Sequence, residues 1–140
     1  MKTVKILFFA LLVLIVPACH EKEVATRFNN PEWTYTPNTA YNVTMTATVQ
    51  LPDNLRPYLS EDDQMVALVG DEVRGVAVPF TDSLFYITIH GSENEVSQVE
   101  LRYWSSKTSY MYRSEQSYPF KENDILGIPD QPLVPVFLIL

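Results

Sequence analysis

Apolar and polar positions alternate strictly from Val43 to Leu51. Val43, Met45, Ala47, Val49 and Leu51 fall on one side, and Thr44, Thr46, Thr48 and Gln50 on the other. A period of two predicts a strand with one buried face and one wet face. The β-branched threonines suit the wet face of such a strand. Pro52 and Asp53 end it. Met65 to Val69 is apolar on both faces, which predicts a central strand. Gly70-Asp71 marks a turn, and Val73 to Val78 resumes an extended run closed by Pro79. Gly75 inside that run predicts a bulge or a close backbone approach. From Leu84 to His90 the alternation returns, with Phe85, Ile87 and Ile89 opposite Tyr86, Thr88 and His90. In the next strand Val99, Leu101 and Tyr103 oppose Glu100, Arg102 and Trp104. Tyr110 and Tyr112 mark a further strand, and Leu133 to Ile139 a last one in which Pro135 demands an edge or bulged position. Beyond the leader no window shows helical spacing. The pattern predicts an all-β, Ig-like antiparallel β-sandwich of about seven strands, with a closed barrel as the structural alternative.

The N-terminus follows a different plan. Lys2 and Lys5 precede an unbroken apolar run from Ile6 to Val16, followed by Pro17, Ala18 and Cys19. Positive, apolar and then small is the order of a secretory signal. The run is shorter than the roughly 20 residues of a transmembrane helix. Val16-Pro17-Ala18-Cys19 resembles the lipobox of bacterial lipoproteins, although Pro17 is unusual in it. The resemblance implies cleavage before Cys19, lipid on its sulfur and acylation of the new amino group. An ordinary signal peptide with an incidental cysteine is the plainer alternative. Multiple acyl chains anchor far more firmly than one. The expected division is therefore a signal peptide over 1–18, a lipid-anchored tether over 19–40 and a β-sandwich domain over 41–140. Glu21-Lys22-Glu23 weakly resembles a Bacteroidota surface-export signal, and a solvated linker explains it equally.

Composition narrows the chemistry. Of the 140 residues 10 are Lys or Arg and 17 Asp or Glu, a net charge of -7, and loss of Lys2 and Lys5 would make it -9. So acidic a chain does not offer the basic footprint of nucleic-acid binding. Cys19 is the one cysteine, so no intramolecular disulfide forms and a packed core must supply the stability. The histidines are His20, beside the anchor, and His90, on the polar side of a strand. That placement does not suit a Ser-His-Asp arrangement. There is no Gly-x-Ser-x-Gly elbow and no phosphate-cradling glycine loop. The expectation is a protein that is not an enzyme and takes no cofactor.

Several motifs keep a recognisable order. Asn42-Val43-Thr44-Met45-Thr46-Ala47 comes first, then Gly70-Asp71-Glu72-Val73-Arg74-Gly75-Val76-Ala77, then Phe85-Tyr86-Ile87-Thr88-Ile89-His90-Gly91. This resembles the "NMTVTA", "GDExRGVA" and "IYG" series of β-sandwich repeats in surface and periplasmic lipoproteins of Bacteroidota. The resemblance covers most of the folded part, and it departs from the pattern at Val73, where cysteine is frequent. It implies an extracytoplasmic Ig-like module and carries no catalytic role. On physical grounds Arg74 can pair with Asp71 or Glu72, or pin a neighbouring carbonyl. A calcium site using Asp71, Glu72 and the Glu61-Asp62-Asp63 run is the alternative, without the ordered ligand loop of an EF-hand.

The remaining features concern partners. Asp82-Ser83-Leu84 resembles an O-glycosylation acceptor, with Ser83 the modified residue. Asn42-Val43-Thr44 matches an N-glycosylation triplet but lies in a strand. Trp104 points to the wet face beside Glu100 and Arg102. The tether carrying Trp33 and Tyr35 could fold over it, a protein partner could bury it, or a sugar ring could stack on it. Trp104, Arg102, Glu100 and Trp33 are thus the candidate contact residues. The C-terminal Leu133-to-Leu140 run reads as a strand completing the core or as a sticky edge. Two functions compete: a lipid-anchored adhesion or interaction module of the cell envelope, surface-exposed or periplasmic on the outer membrane, and a carbohydrate-binding module of a glycan-capture system. The expected partners are the membrane, through Cys19, and a protein or a glycan.

Overall fold

The computed structural model describes residues 24–79 and 81–140. The signal peptide, Cys19, His20 and the Glu21-Lys22-Glu23 motif lie outside the described residues. Among the described residues no helix is long and apolar enough to cross a membrane.

Two sheets pack face to face as a sandwich. The strands in chain order are β1 (Val43–Gln50), β2 (Gln64–Val69), β3 (Glu72–Val76), β4 (Val78–Pro79), β5 (Leu84–Gly91), β6 (Gln98–Trp104), β7 (Met111–Ser114), β8 (Tyr118–Pro119), β9 (Ile125–Leu126) and β10 (Phe137–Ile139). One sheet has the order β4-β5-β1-β9; the other has β10-β7-β6-β2-β3, with β8 paired to β6. Neither sheet closes into a barrel. β1 and β5 run antiparallel in full register from Val43↔Gly91 to Gln50↔Leu84. That register puts Met45, Ala47 and Val49 on the same face as Ile89, Ile87 and Phe85. They meet Met65, Ala67, Val99, Leu101 and Tyr103 from the other sheet in one buried cluster.

The longer runs divide where the sequence reads as continuous. Val73 to Val78 is two strands. The chain leaves β3 at Ala77, whose N–H still bonds Met65 O at 2.9 Å, and joins β5 of the other sheet as β4. The crossing is possible because Gly75 lies against β5. A Cβ on Gly75 would stand 2.2 Å from Thr88 O. The pairing of β2 with β3 also shifts here, from Ala67↔Gly75 to Leu68↔Val73, which leaves Arg74 as the extra residue of a bulge. Gly75 therefore sits beside a bulge and at a close approach. The C-terminal run divides in the same way. Leu133 bridges Val49 of one sheet, Pro135 is buried, and Phe137–Ile139 forms the edge strand of the other.

β2 is an interior strand, apolar on both faces as expected. Its inner residues join the main core. Its outer residues Val66 and Leu68, with Trp104 of β6, are buried outside that core. Residues 24–40, expected as a tether, contribute to a strap on this side. Arg27 bridges Tyr110, and Phe28 N–H donates to Ser109 O at 2.8 Å. Asn30 Oδ1 accepts from Gln64 Nε2 at 2.5 Å, and Trp33 N–H donates to Gln64 Oε1 at 3.2 Å. Tyr35 then stacks on His90 of β5, with ring centroids 4.2 Å apart. The strap thus starts over β6 and β7, crosses β2 and ends on the other sheet.

Candidate functional site

Trp104 does face away from the main core, but it is 6% exposed. Its indole Nε1–H donates to Phe28 O at 3.0 Å. The strap covers it, which removes Trp104 as a contact for a protein or a sugar. Arg102 Nε pairs with Glu100 Oε1 at 2.7 Å, both side chains being about one-third exposed. Arg113 stands directly opposite Arg102 on β7, so the Glu100 carboxylate also offsets two guanidiniums placed side by side. Trp33 is half-buried in the strap. The four candidate contacts therefore do not make one open site.

Ser83 is 9% exposed with φ +69, in a turn where its carbonyl accepts from Leu51 N–H at 3.1 Å. So little surface is a poor acceptor for a glycosyltransferase acting on the folded domain.

Three of the acidic residues, Asp63, Glu72 and Glu95, serve two separate hubs. Asp63 is buried and accepts from Tyr103 Oη, Ser60 N–H (2.9 Å), Ser106 N–H (2.8 Å) and Ser106 Oγ (2.9 Å). It ties the entry of β2 to the loop after β6. Tyr103 is held far above its usual pKa, first by burial and then by the hydrogen bond to Asp63. The second hub is Arg74, whose bulged position aims a side chain only 7% exposed at the gap between the sheets. Nε meets Glu72 Oε1 at 2.5 Å, while Nη1 meets both Glu95 oxygens at 3.0 Å and His90 O at 3.1 Å. The guanidinium also lies 3.9 Å over the Tyr41 ring, and Tyr41 Oη donates to Glu72. β4 covers β5 only at Phe85 and Tyr86, so Arg74 caps a carbonyl on the part of β5 beyond it. The Arg74 pairing with Glu72 and with a carbonyl follows the sequence reading; Glu95 is an addition to it. The calcium alternative drew on Asp71, Glu72 and the Glu61-Asp62-Asp63 run, but Glu72 and Asp63 are engaged in separate hubs. Among the described residues no three Asp, Glu, His or Cys side chains gather as a metal site.

An open groove adjoins the Arg74 hub. One cavity of about 660 Å3 lies between strap residues Thr34, Thr36, Asn38 and Thr39 and hairpin residues Asp71 and Glu72. A second of about 290 Å3 is walled by the Tyr35–His90 stack. Tyr41 borders both. Clefts of this size suit small ligands, for which roughly 300–1,000 Å3 is usual. Glu72 is held below its usual pKa, first by the Tyr41 hydroxyl and also by Arg74, so it is ionised near neutral pH. Burial holds His90 below its usual pKa, so its imidazole is neutral there. A third hollow, about 390 Å3, lies on the outer face of the four-stranded sheet among Thr48, Val78, Pro79, Tyr86 and Pro129. It offers few polar groups to orient a ligand.

Sequence reasoning passed over Tyr41, Asn38 and Thr39 as site residues. The signal for a packed strap was present in Trp33-Thr34-Tyr35-Thr36, where aromatic and hydroxyl residues alternate at period two. No protein-family model matches the chain, and no curated protein or solved structure matches it.

Proposed function

We propose that the protein is a non-enzymatic, lipid-anchored component of the cell envelope that works as an adhesion or interaction module. The anchor is Cys19, placed after the apolar Ile6–Val16 run and Ala18. The observation that carries the non-enzymatic reading is how the reactive groups are used. Asp63 holds Tyr103 and Ser106, Arg74 holds Glu72 and Glu95, and His90 lies under Tyr35. These groups serve the fold. What faces the groove is a set of hydroxyl, amide, carboxylate and aromatic groups, which suits binding. Outer-membrane attachment facing the periplasm or the cell exterior agrees with the signal and the resemblance to envelope lipoproteins.

A carbohydrate-binding module is the second reading. Its support is the tyrosine and tryptophan content; with Trp104 covered, a sugar has to bind elsewhere. Two experiments test the proposal. Cys19→Ser is expected to abolish labelling by a palmitate analogue and to release the protein from membranes. Survival of both label and attachment would overturn the anchor. Protease shaving of intact cells then separates a surface protein, which is cut, from a periplasmic one, which is spared.

A further inference from the structure

We infer that the groove between the strap and the β2–β3 hairpin binds a neutral saccharide. The inference rests on the reading of the chain as a binding module and names the ligand class. A sugar presents hydroxyls that both donate and accept, together with an apolar C–H face. The groove answers both. The Asp71 carboxylate and the Glu72 oxygen not engaged by Tyr41 and Arg74 can accept hydrogen bonds from sugar hydroxyls on one side. On the other side Asn38 spends Oδ1 on Ala40 N–H at 2.9 Å, which leaves its amide N–H groups as donors, and the Thr39 hydroxyl can do either. Tyr41 and the Tyr35–His90 stack supply aromatic surface for the C–H face.

Charge sets the selectivity. Neither cavity is lined by Lys or Arg. The nearest guanidinium, Arg74, is buried and paired with Glu72 and Glu95. A uronate, sialylated or sulfated glycan would bring its anion against Asp71 and Glu72, within the roughly 8 Å over which charges act at physiological salt. The groove therefore accepts neutral glycans and rejects acidic ones. Its open shape means that single chains bind weakly and that many anchored copies on one cell would hold a polymer by avidity.

The test uses the mature lipidated chain in detergent on an array of neutral and acidic oligosaccharides, with a panel of extended peptides in parallel. Tyr35→Ala and Asp71→Ala are compared with wild type, and Val136→Ser, at an exposed site beside β10 on the opposite edge of the sheet from β3, is the control. Neutral glycans are expected to be retained and acidic ones not. Each groove variant should weaken retention about tenfold, the worth of one stacking or hydrogen-bonding partner, and the control should not. Asp71 is exposed and outside the Arg74 ion pairs, so Asp71→Ala decides the matter even if Tyr35→Ala loosens the strap. Equal retention of acidic glycans, or neutral retention unchanged in Asp71→Ala, would overturn the inference. An array silent for glycans with peptides bound in an Asp71-dependent way would overturn the sugar and leave the binding module standing. Silence on both panels would remove both.

Discussion

The Trp104 indole donates its N–H to the carbonyl of Phe28, 3.0 Å away and 76 residues earlier in the chain. A single hydrogen bond contributes about 0.5–1.5 kcal/mol. The larger effect is what the strap shelters, since Val66, Leu68 and Trp104 are buried outside the main core. Each large side chain returned to water costs on the order of 1.5–3 kcal/mol.

Deleting the chain before Tyr41 should therefore lower stability by several kcal/mol and expose Trp104. Fluorescence is cleanest in a Trp33→Phe background, where Trp104 is the one remaining tryptophan. The emission maximum should move to longer wavelength on truncation. An unchanged maximum would mean that the strap does not cover Trp104.

The Arg74 hub makes a second prediction. Arg74→Ala leaves the mostly buried Glu95 carboxylate, 13% exposed, without its cation. Removing one partner of a buried pair costs about 3–5 kcal/mol. Arg74→Lys should fall between the two, since an ammonium cannot reach Glu72, Glu95 and the His90 carbonyl with one planar fork. Urea midpoints of the three proteins measure this. A midpoint for Arg74→Ala equal to wild type would show that the hub contributes nothing net.

Much of the sandwich is legible from period-two alternation. Met45, Ala47 and Val49 face Ile89, Ile87 and Phe85 because one slip of register would turn every one of them to water. The outward turn of Trp104 is legible for the same reason, and the segment carrying Trp33 and Tyr35 is one of its expected covers. The crossing at Ala77 is not legible, because β3 and β4 keep one extended pattern while changing sheets. β8 and β9, of 2 residues each, are too short to show a period. The groove is the least legible feature. It forms where residues 34–41, the 71–73 hairpin and His90 converge, and no local pattern encodes that meeting. Glu95 reaches Arg74 from a turn 21 residues further on, which spacing alone does not announce.

Gly70 and Gly75 belong to the same motif and should respond differently to alanine. Gly70 takes φ +59 in a two-residue turn, with nothing within 4 Å of an added Cβ. Gly70→Ala should cost only the strain of a left-handed residue, about 1–2 kcal/mol. At Gly75 the added carbon would lie 2.2 Å from the Thr88 carbonyl oxygen, and backbone cannot swing aside as a side chain can. Gly75→Ala should cost about 3 kcal/mol or prevent folding by prising β3 from β5. Thermal melts of the two variants decide it. Equal losses would mean that the sheets are not in tight contact at Gly75.

Alkaline stability should report on the Asp63 hub. Burial and the Asp63 carboxylate raise the folded pKa of Tyr103, and burial raises Tyr112 and Tyr118 in the same direction. The unfolded chain releases phenolic protons near the ordinary value of about 10. The folded chain keeps them, so it binds more protons above that pH. Stability is therefore whole below about pH 10 and falls as pH rises beyond it, towards the raised folded values. Tyr103→Phe removes the largest share of this dependence. At pH 8 it should cost about 1–3 kcal/mol, the worth of a hydrogen bond to a charged group left partly unsatisfied. Between pH 9 and pH 11, however, its urea midpoint should fall less steeply than that of wild type. Parallel slopes would mean that Tyr103 ionises as readily in the folded protein as in the unfolded chain, and that Asp63 does not hold its proton in place.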